Sequence, residues 1–226
     1  MGRYNFDKIV DRKHTKSLKY DFAVQRGKPA DVLPFWVADM DFEIPSELKQ
    51  VLLDRVNHGI FGYTESDNAY FNVLKEWFAS RFNWNIDKKW LVKTPGVVFA
   101  LAMAVRAFTK EGEGVLINQP VYYPFSMVID DNDRNLINVP LIQGADTYTI
   151  DFEGVERAIV EHNVTLFLLC NPHNPVGRVW TEDELKRLGD ICIKHNVIII
   201  SDEIHADFVW DGHKHTVFAN LGESYA

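Results

Sequence analysis

The chain has 226 residues, 46% hydrophobic and 25% charged, enough to bury one large core and too apolar to remain disordered. A formal net charge of −8, with no Lys/Arg cluster, argues against nucleic acid as a partner. No apolar run reaches the length of a bilayer span and the opening Met1-Gly-Arg-Tyr-Asn-Phe-Asp7 lacks a signal core, so a cytoplasmic protein with no membrane partner is expected.

Residues 1–45 read as an N-terminal arm, polar and aromatic with little periodicity, closing in the Pro-punctuated extended segment Leu33-Pro-Phe-Trp-Val-Ala-Asp-Met-Asp-Phe42. From Pro45, suited to a first helical turn, Leu48, Val51, Leu52, Arg55 and Val56 keep helical spacing until Gly59. Further helices are expected over 68–82 and, after Thr94-Pro-Gly96, over 97–108. Beyond that point short apolar runs alternate with amphipathic segments. The runs 115–118, 136–139, 164–170 and 197–201 read as strands, and Thr181-Glu-Asp-Glu184 is a capping-box sequence that opens a helix ending near His195. Continuous apolar strands with helices between them predict an α/β fold with a mostly parallel central sheet covered on both faces. The two cysteines, Cys170 and Cys192, sit inside apolar stretches and read as buried thiols.

In an open parallel sheet, ligands collect at the carboxyl ends of the strands, which directs attention to four places. At Thr94-Pro-Gly96-Val97-Val98 a glycine turn opens a helix whose free N–H groups suit a phosphate; an ordinary turn before a helix is the alternative. In Gln119-Pro-Val-Tyr-Tyr-Pro124 either Tyr122 or Tyr123 can stack on a flat ring or simply cover a loop. Cys170-Asn-Pro-His-Asn-Pro-Val-Gly177 holds two Asn-Pro steps that fix a loop and aim its amide side chains. Val197-Ile-Ile-Ile-Ser-Asp-Glu-Ile-His205 delivers Asp202, Glu203 and His205 together after a buried run.

This last motif has competing readings. Asp-Glu-x-His resembles the magnesium-binding box of nucleic-acid helicases, but the GxxxxGK[ST] phosphate loop such an ATPase needs is absent from the chain. Asp202 can also serve as a turn cap. A metal site from His205, His213 and His215 lacks a recognised spacing, so no metal is expected.

In this order the motifs resemble fold type I pyridoxal phosphate enzymes, the class I and II aminotransferase superfamily. Phe6-Asp-Lys-Ile-Val-Asp-Arg12, Trp36-Val-Ala-Asp-Met-Asp-Phe42, Gly59-Ile-Phe-Gly-Tyr63 and Ser201-Asp-Glu-Ile-His205 are similar to the bacterial cystathionine β-lyase branch of carbon–sulfur lyases. The resemblance implies a three-layer fold, with residues 1–45 as an arm and part of a small domain and residues 46–226 as a large cofactor-binding domain that is incomplete at its C-terminal end. It implies pyridoxal 5′-phosphate as cofactor, with Asp202 on the ring nitrogen, Asn174 and His205 on the phenolic oxygen, Tyr122 on the ring face, and Gly96, Val97 and Val98 on the phosphate. Histidine at 205, where most of the superfamily carries tyrosine, is typical of the lyase branch. Tyr63 matches a tyrosine that reaches the phosphate in a neighbouring subunit, which implies a homodimer.

The family's Schiff-base lysine falls beyond Ala226, and Lys214, the one lysine after Asp202, has the wrong context. No catalytic residue is therefore expected within the chain, which is expected to be inactive alone and to hold the cofactor only without a covalent bond, if at all. For a longer parent the expected reaction is β-elimination from cystathionine, cysteine or related amino-acid substrates to a thiol, ammonia and pyruvate. An aminotransferase is the alternative on the same site, and a non-catalytic fragment or binding module is the alternative from another class.

Overall fold

The computed structural model describes residues 4–226. The chain divides into two compact units, one ending at Glu65 and the other running Ser66–Ala226.

Among its described residues the first unit holds one 3-10 turn, Val24–Arg26, and one helix, α1 (Ser46–His58). Gly59 ends α1 at φ 73°, donating its N–H to Val56 O, in the left-handed conformation that glycine adopts without a Cβ clash. None of the α1 side chains is buried, and Leu48, Val51, Leu52 and Val56 are exposed. The extended segment before the helix is fixed by charge. Arg12 pairs with both Asp39 and Asp41, and the buried Lys19 ammonium donates to Asp39 O (3.0 Å) and Asp41 Oδ2 (3.3 Å).

The second unit opens with α2 (Asn68–Phe82), capped by the Asp67 carboxylate on the Tyr70 N–H and ended by Asn83 at φ 52°. Then follow α3 (Val97–Phe108), β1 (Gly114–Ile117), α4 (Pro124–Asp130), β2 (Asn135–Asn138), β3 (Ile142–Gln143), β4 (Tyr148–Thr149), α5 (Phe152–His162), β5 (Leu166–Cys170), α6 (Glu182–Lys194) and β6 (Ile198–Asp202). Four strands form a parallel sheet in the order β2-β1-β5-β6, and β3 and β4 form a separate antiparallel pair.

Period-two alternation sends opposite side chains of the central strands into two different cores. Leu116, Phe167 and Leu169 face α5 and α6, packing with Val155, Ile159, Leu185, Leu188 and Trp180. Val115, Ile117, Leu166, Leu168 and Cys170 face α3 and α4, packing with Leu101, Val105, Phe125 and Ile129. Burial on both faces explains why β1 and β5 are continuous apolar runs, and it produces the expected three layers.

The strand bounds differ from the apolar runs by a residue or two, because hydrogen-bond register sets them. β1 and β2 each begin one residue earlier than the runs 115–118 and 136–139, with Gly114 paired to Asn135. Val164 closes the end of α5, donating to Ile159 O, so β5 starts only at Leu166. Asp202 is the last residue of β6, paired with Cys170, rather than the first residue after it. Among the described residues, no helix is long and apolar enough to cross a membrane.

Candidate cofactor site

Because the sheet is parallel, β1, β5 and β6 release their chains at the same edge, and the loops leaving them meet there. Asp202 stands at the end of β6, 7% exposed. It lies on the α3 face of the sheet, since its in-register neighbour Cys170 and the same-face Ile200 both pack into the α3 core. One carboxylate oxygen accepts the Ile204 N–H at 3.1 Å. Burial pushes the Asp202 pKa above the ordinary carboxylate value, and the nearby Glu203 adds to the rise, while the Ile204 N–H and the His205 ring oppose it. Among the described residues this buried carboxyl has a single N–H partner and no ion pair.

The β5–α6 loop begins beside it. Asn171 N–H donates to Asp202 O at 2.9 Å and Asn171 Nδ2 donates to Thr216 O at 3.1 Å, leaving the buried Asn171 Oδ1 without a partner among the described residues. Asn174 is half-buried, and its backbone N–H donates to Cys170 Sγ at 3.4 Å. The Asn171–Pro172 and Asn174–Pro175 bonds are both cis. The loop is closed by His173 N–H to Arg178 O (2.7 Å) and Gly177 N–H to His173 O (2.9 Å).

The β1–α4 loop carries Tyr122, whose ring lies edge-on to Tyr123 with centroids 5.2 Å apart. Desolvation raises the Tyr122 pKa, and its neighbours Tyr123 and Asp202 raise it further. Tyr122 and Asp202 therefore share one electrostatic environment although 80 residues of sequence separate them. His205 is half-buried just past β6, with its ring 6.4 Å from that of Phe208.

Gly96 caps the N-terminus of α3, with Val97 and Val98 as the first two helical residues. Among the described residues no side chain caps this helix, so its leading N–H groups are open to an outside acceptor, and no side chain on Gly96 obstructs the approach. The Thr94 hydroxyl donates to Gly96 O at 3.1 Å, steadying the turn.

Asp202, Asn174, Tyr122 and His205 are thus brought to one sheet edge, with α3 and its Gly96 N-terminus on the same sheet face as Asp202. Tyr63 belongs to the first unit and is fully exposed. His213 is exposed and His215 turns away to Glu203 Oε2 at 3.0 Å; among the described residues, no three His, Cys, Asp or Glu side chains converge as metal ligands. Lys214 is exposed and its charge acts on Glu182. Sequence patterning had not singled out His173, which is buried between the two loops with its Nε2 3.0 Å from Pro120 O. Its only sequence signal is its place between the two Asn-Pro steps.

The donor set suits a flat heteroaromatic cation bearing an anionic group: an acid for the ring N–H, an aromatic for the face, an amide and an imidazole for an oxygen, and a helix N-terminus for the anion. Known proteins carry the same frame. Cystathionine β-lyase PatB of Bacillus subtilis is 44% identical over 222 residues, covering 98% of this chain and 57% of its own length. Protein MalY of Escherichia coli is 36% identical over 219 residues. The crystal structure of cystalysin from Treponema denticola, which contains a pyridoxal 5′-phosphate cofactor, superposes with a TM-score of 0.91 at 41% identity, covering 98% of this chain and 57% of that one. The chain thus spans a little over half the length of these relatives. The family model for aminotransferase class I and II matches residues 30–224, and the chain belongs to that family.

Proposed function

We propose that the Asp202 site holds pyridoxal 5′-phosphate, and that a protein of the relatives' full length uses it to cleave the carbon–sulfur bond of cystathionine, cysteine or a related amino acid. The observation that carries this reading is the buried Asp202 carboxyl, which has no ion-pair partner among the described residues, at the meeting point of three strand ends. The relatives named as cystathionine β-lyases supply the reaction class.

When bound, the cofactor supplies an electron sink for the bonds at the substrate's Cα and Cβ. The side chains of this chain bind and orient. Asp202 holds the proton on the ring nitrogen, where a buried carboxylate gains most from a cation. Asn174 and His205 fix the phenolic oxygen, Tyr122 covers one ring face, and the N–H groups of Gly96, Val97 and Val98 take the phosphate. The products of β-elimination are a thiol, ammonia and pyruvate.

The domain assignment belongs to the same proposal: residues 1–45 form an arm with part of a small domain, and 46–226 the cofactor-binding domain, α1 being counted with it by sequence. So does a homodimer in which Tyr63 reaches the neighbouring subunit's phosphate. The exposed apolar side chains of α1, together with Phe61, support such a pairing. A cytoplasmic location agrees with two free, buried cysteines.

An extended chain that includes a lysine able to bond the cofactor tests the reaction. Pyruvate release from cystathionine is expected, and transamination without pyruvate would replace the lyase by an aminotransferase.

A further inference from the structure

His173 is 3% exposed and reaches both loops of the site. Its ring stands edge-on to Trp180, centroids 5.4 Å apart at 81°, and the Trp180 indole N–H donates to Cys170 O at 3.0 Å. Through its backbone the same residue closes the loop that carries Asn174, the next residue along. Through its side chain it meets the other loop at Pro120 O, two residues before Tyr122 and 53 residues away in sequence.

That contact fixes the tautomer. A carbonyl oxygen only accepts, so Nε2 carries the proton. Nδ1 is buried without a partner among the described residues, and burial lowers the ring's pKa although the Pro120, Cys170 and Asn118 backbone groups oppose the fall, which agrees with a neutral imidazole whose Nδ1 is bare. Just before Pro120, the β1–α4 loop is tied down on its far side. Asn118 Nδ2 donates to Val139 O (2.8 Å), Gln119 N–H to Asn138 Oδ1 (3.0 Å) and Leu141 N–H to Gln119 O (2.8 Å). One loop is therefore anchored to β2 and the other to Trp180, and the His173 ring spans the distance between them.

We propose that His173 is a positioning residue: its Nε2–H bond to Pro120 O sets the spacing between Tyr122 and Asn174, so that the two meet the same bound ring. The proposal rests on the cofactor reading of Asp202. It needs no contact between His173 and the cofactor.

Two variants of the full chain separate this role from simple core filling. His173→Phe keeps a ring against Trp180 and removes the donor, whereas His173→Gln keeps an N–H donor at similar reach. For H173F, amide hydrogen exchange at Val121, Tyr122 and Tyr123 should accelerate while α5 and α6 stay protected, and pyridoxal 5′-phosphate should bind about tenfold more weakly, the effect of about one hydrogen bond. H173Q should restore most of both. Unchanged exchange and affinity in H173F, or a glutamine variant as impaired as the phenylalanine one, would overturn the strut.

Should both variants misfold, nitrogen NMR of the unaltered chain decides: one protonated and one bare ring nitrogen in His173 supports the assignment, and a charged ring or the opposite tautomer ends it. If the unaltered chain binds no pyridoxal 5′-phosphate, the cofactor reading fails, while the exchange measurement still decides the strut.

Discussion

Cys170 and Asp202 are paired in register across β5 and β6, so a thiol and a carboxyl share the α3 face at the end of the sheet. Burial, reinforced by the Asp202 charge, pushes the Cys170 thiol up to about 12, with the Asn174 N–H opposing it. Burial alone takes Cys192 to about 12. Since the thiolate is the reactive form, neither cysteine should react with a disulfide reagent near pH 8 until the chain unfolds. Thiol titration before and after denaturant checks this, and rapid modification of the folded chain would contradict it.

The raised pKa of Asp202 makes a stability prediction of definite sign. Folded Asp202 holds its proton more tightly than the unfolded group, whose pKa is about 3.9, so its contribution to stability falls as pH rises from that value through the folded pKa. Asp202→Asn keeps an acceptor for the Ile204 N–H and removes the charge. Its melting temperature should exceed that of the unaltered chain by a few degrees near pH 7, and the gap should close below about pH 4. Melting curves at several pH values test it; a variant that is less stable at neutral pH would show that the carboxylate is already well paired.

Val37 sits at φ 62°, a conformation that β-branched residues seldom adopt, in the segment clamped by Arg12 and Lys19 through Asp39 and Asp41. Strain of this kind costs about 1–2 kcal/mol. Val37→Asn, which tolerates the left-handed region, should stabilise the first unit by about 1 kcal/mol in denaturant titration. Loss of stability would mean that the half-exposed valine side chain packs usefully where it is.

The α6 N-terminus is held by a reciprocal cap. Glu184 N–H donates to Thr181 Oγ1 at 3.2 Å, Thr181 N–H donates to Glu184 Oε2 at 2.8 Å, and Arg178 grips both Glu184 oxygens at 2.7 Å. Thr181→Ala should cost about 1 kcal/mol, read as a lower urea midpoint at unchanged slope.

Local end signals announce some helices in sequence but not α5, although Asp151 caps its start on the Gly154 N–H and Asn163 closes it at φ 49°. Gly59 and Thr181 mark α1 and α6, and α2 and α3 span the residues that their patterns give. Strand limits are less legible, because an apolar run records burial whereas the ladder's register decides where pairing stops; Asp202 moves into β6 for that reason. The seven-residue α4 and the two-residue strands β3 and β4 are too short to show a period. In the candidate site, the places of Asp202, Asn174 and Tyr122 at or beyond the strand ends are legible because each follows or ends an apolar run. The role of His173 is not, since its partner is a backbone carbonyl of another loop, and backbone acceptors leave no trace in residue identity.

The most direct test is titration of the chain with pyridoxal 5′-phosphate, followed by tryptophan fluorescence, alongside Asp202→Ala. Saturable binding that weakens at least about tenfold in the variant is expected, because the ring nitrogen's charged partner is lost. Binding that ignores the loss of Asp202, or no saturable binding at all, would contradict the assignment of this sheet edge as the cofactor site.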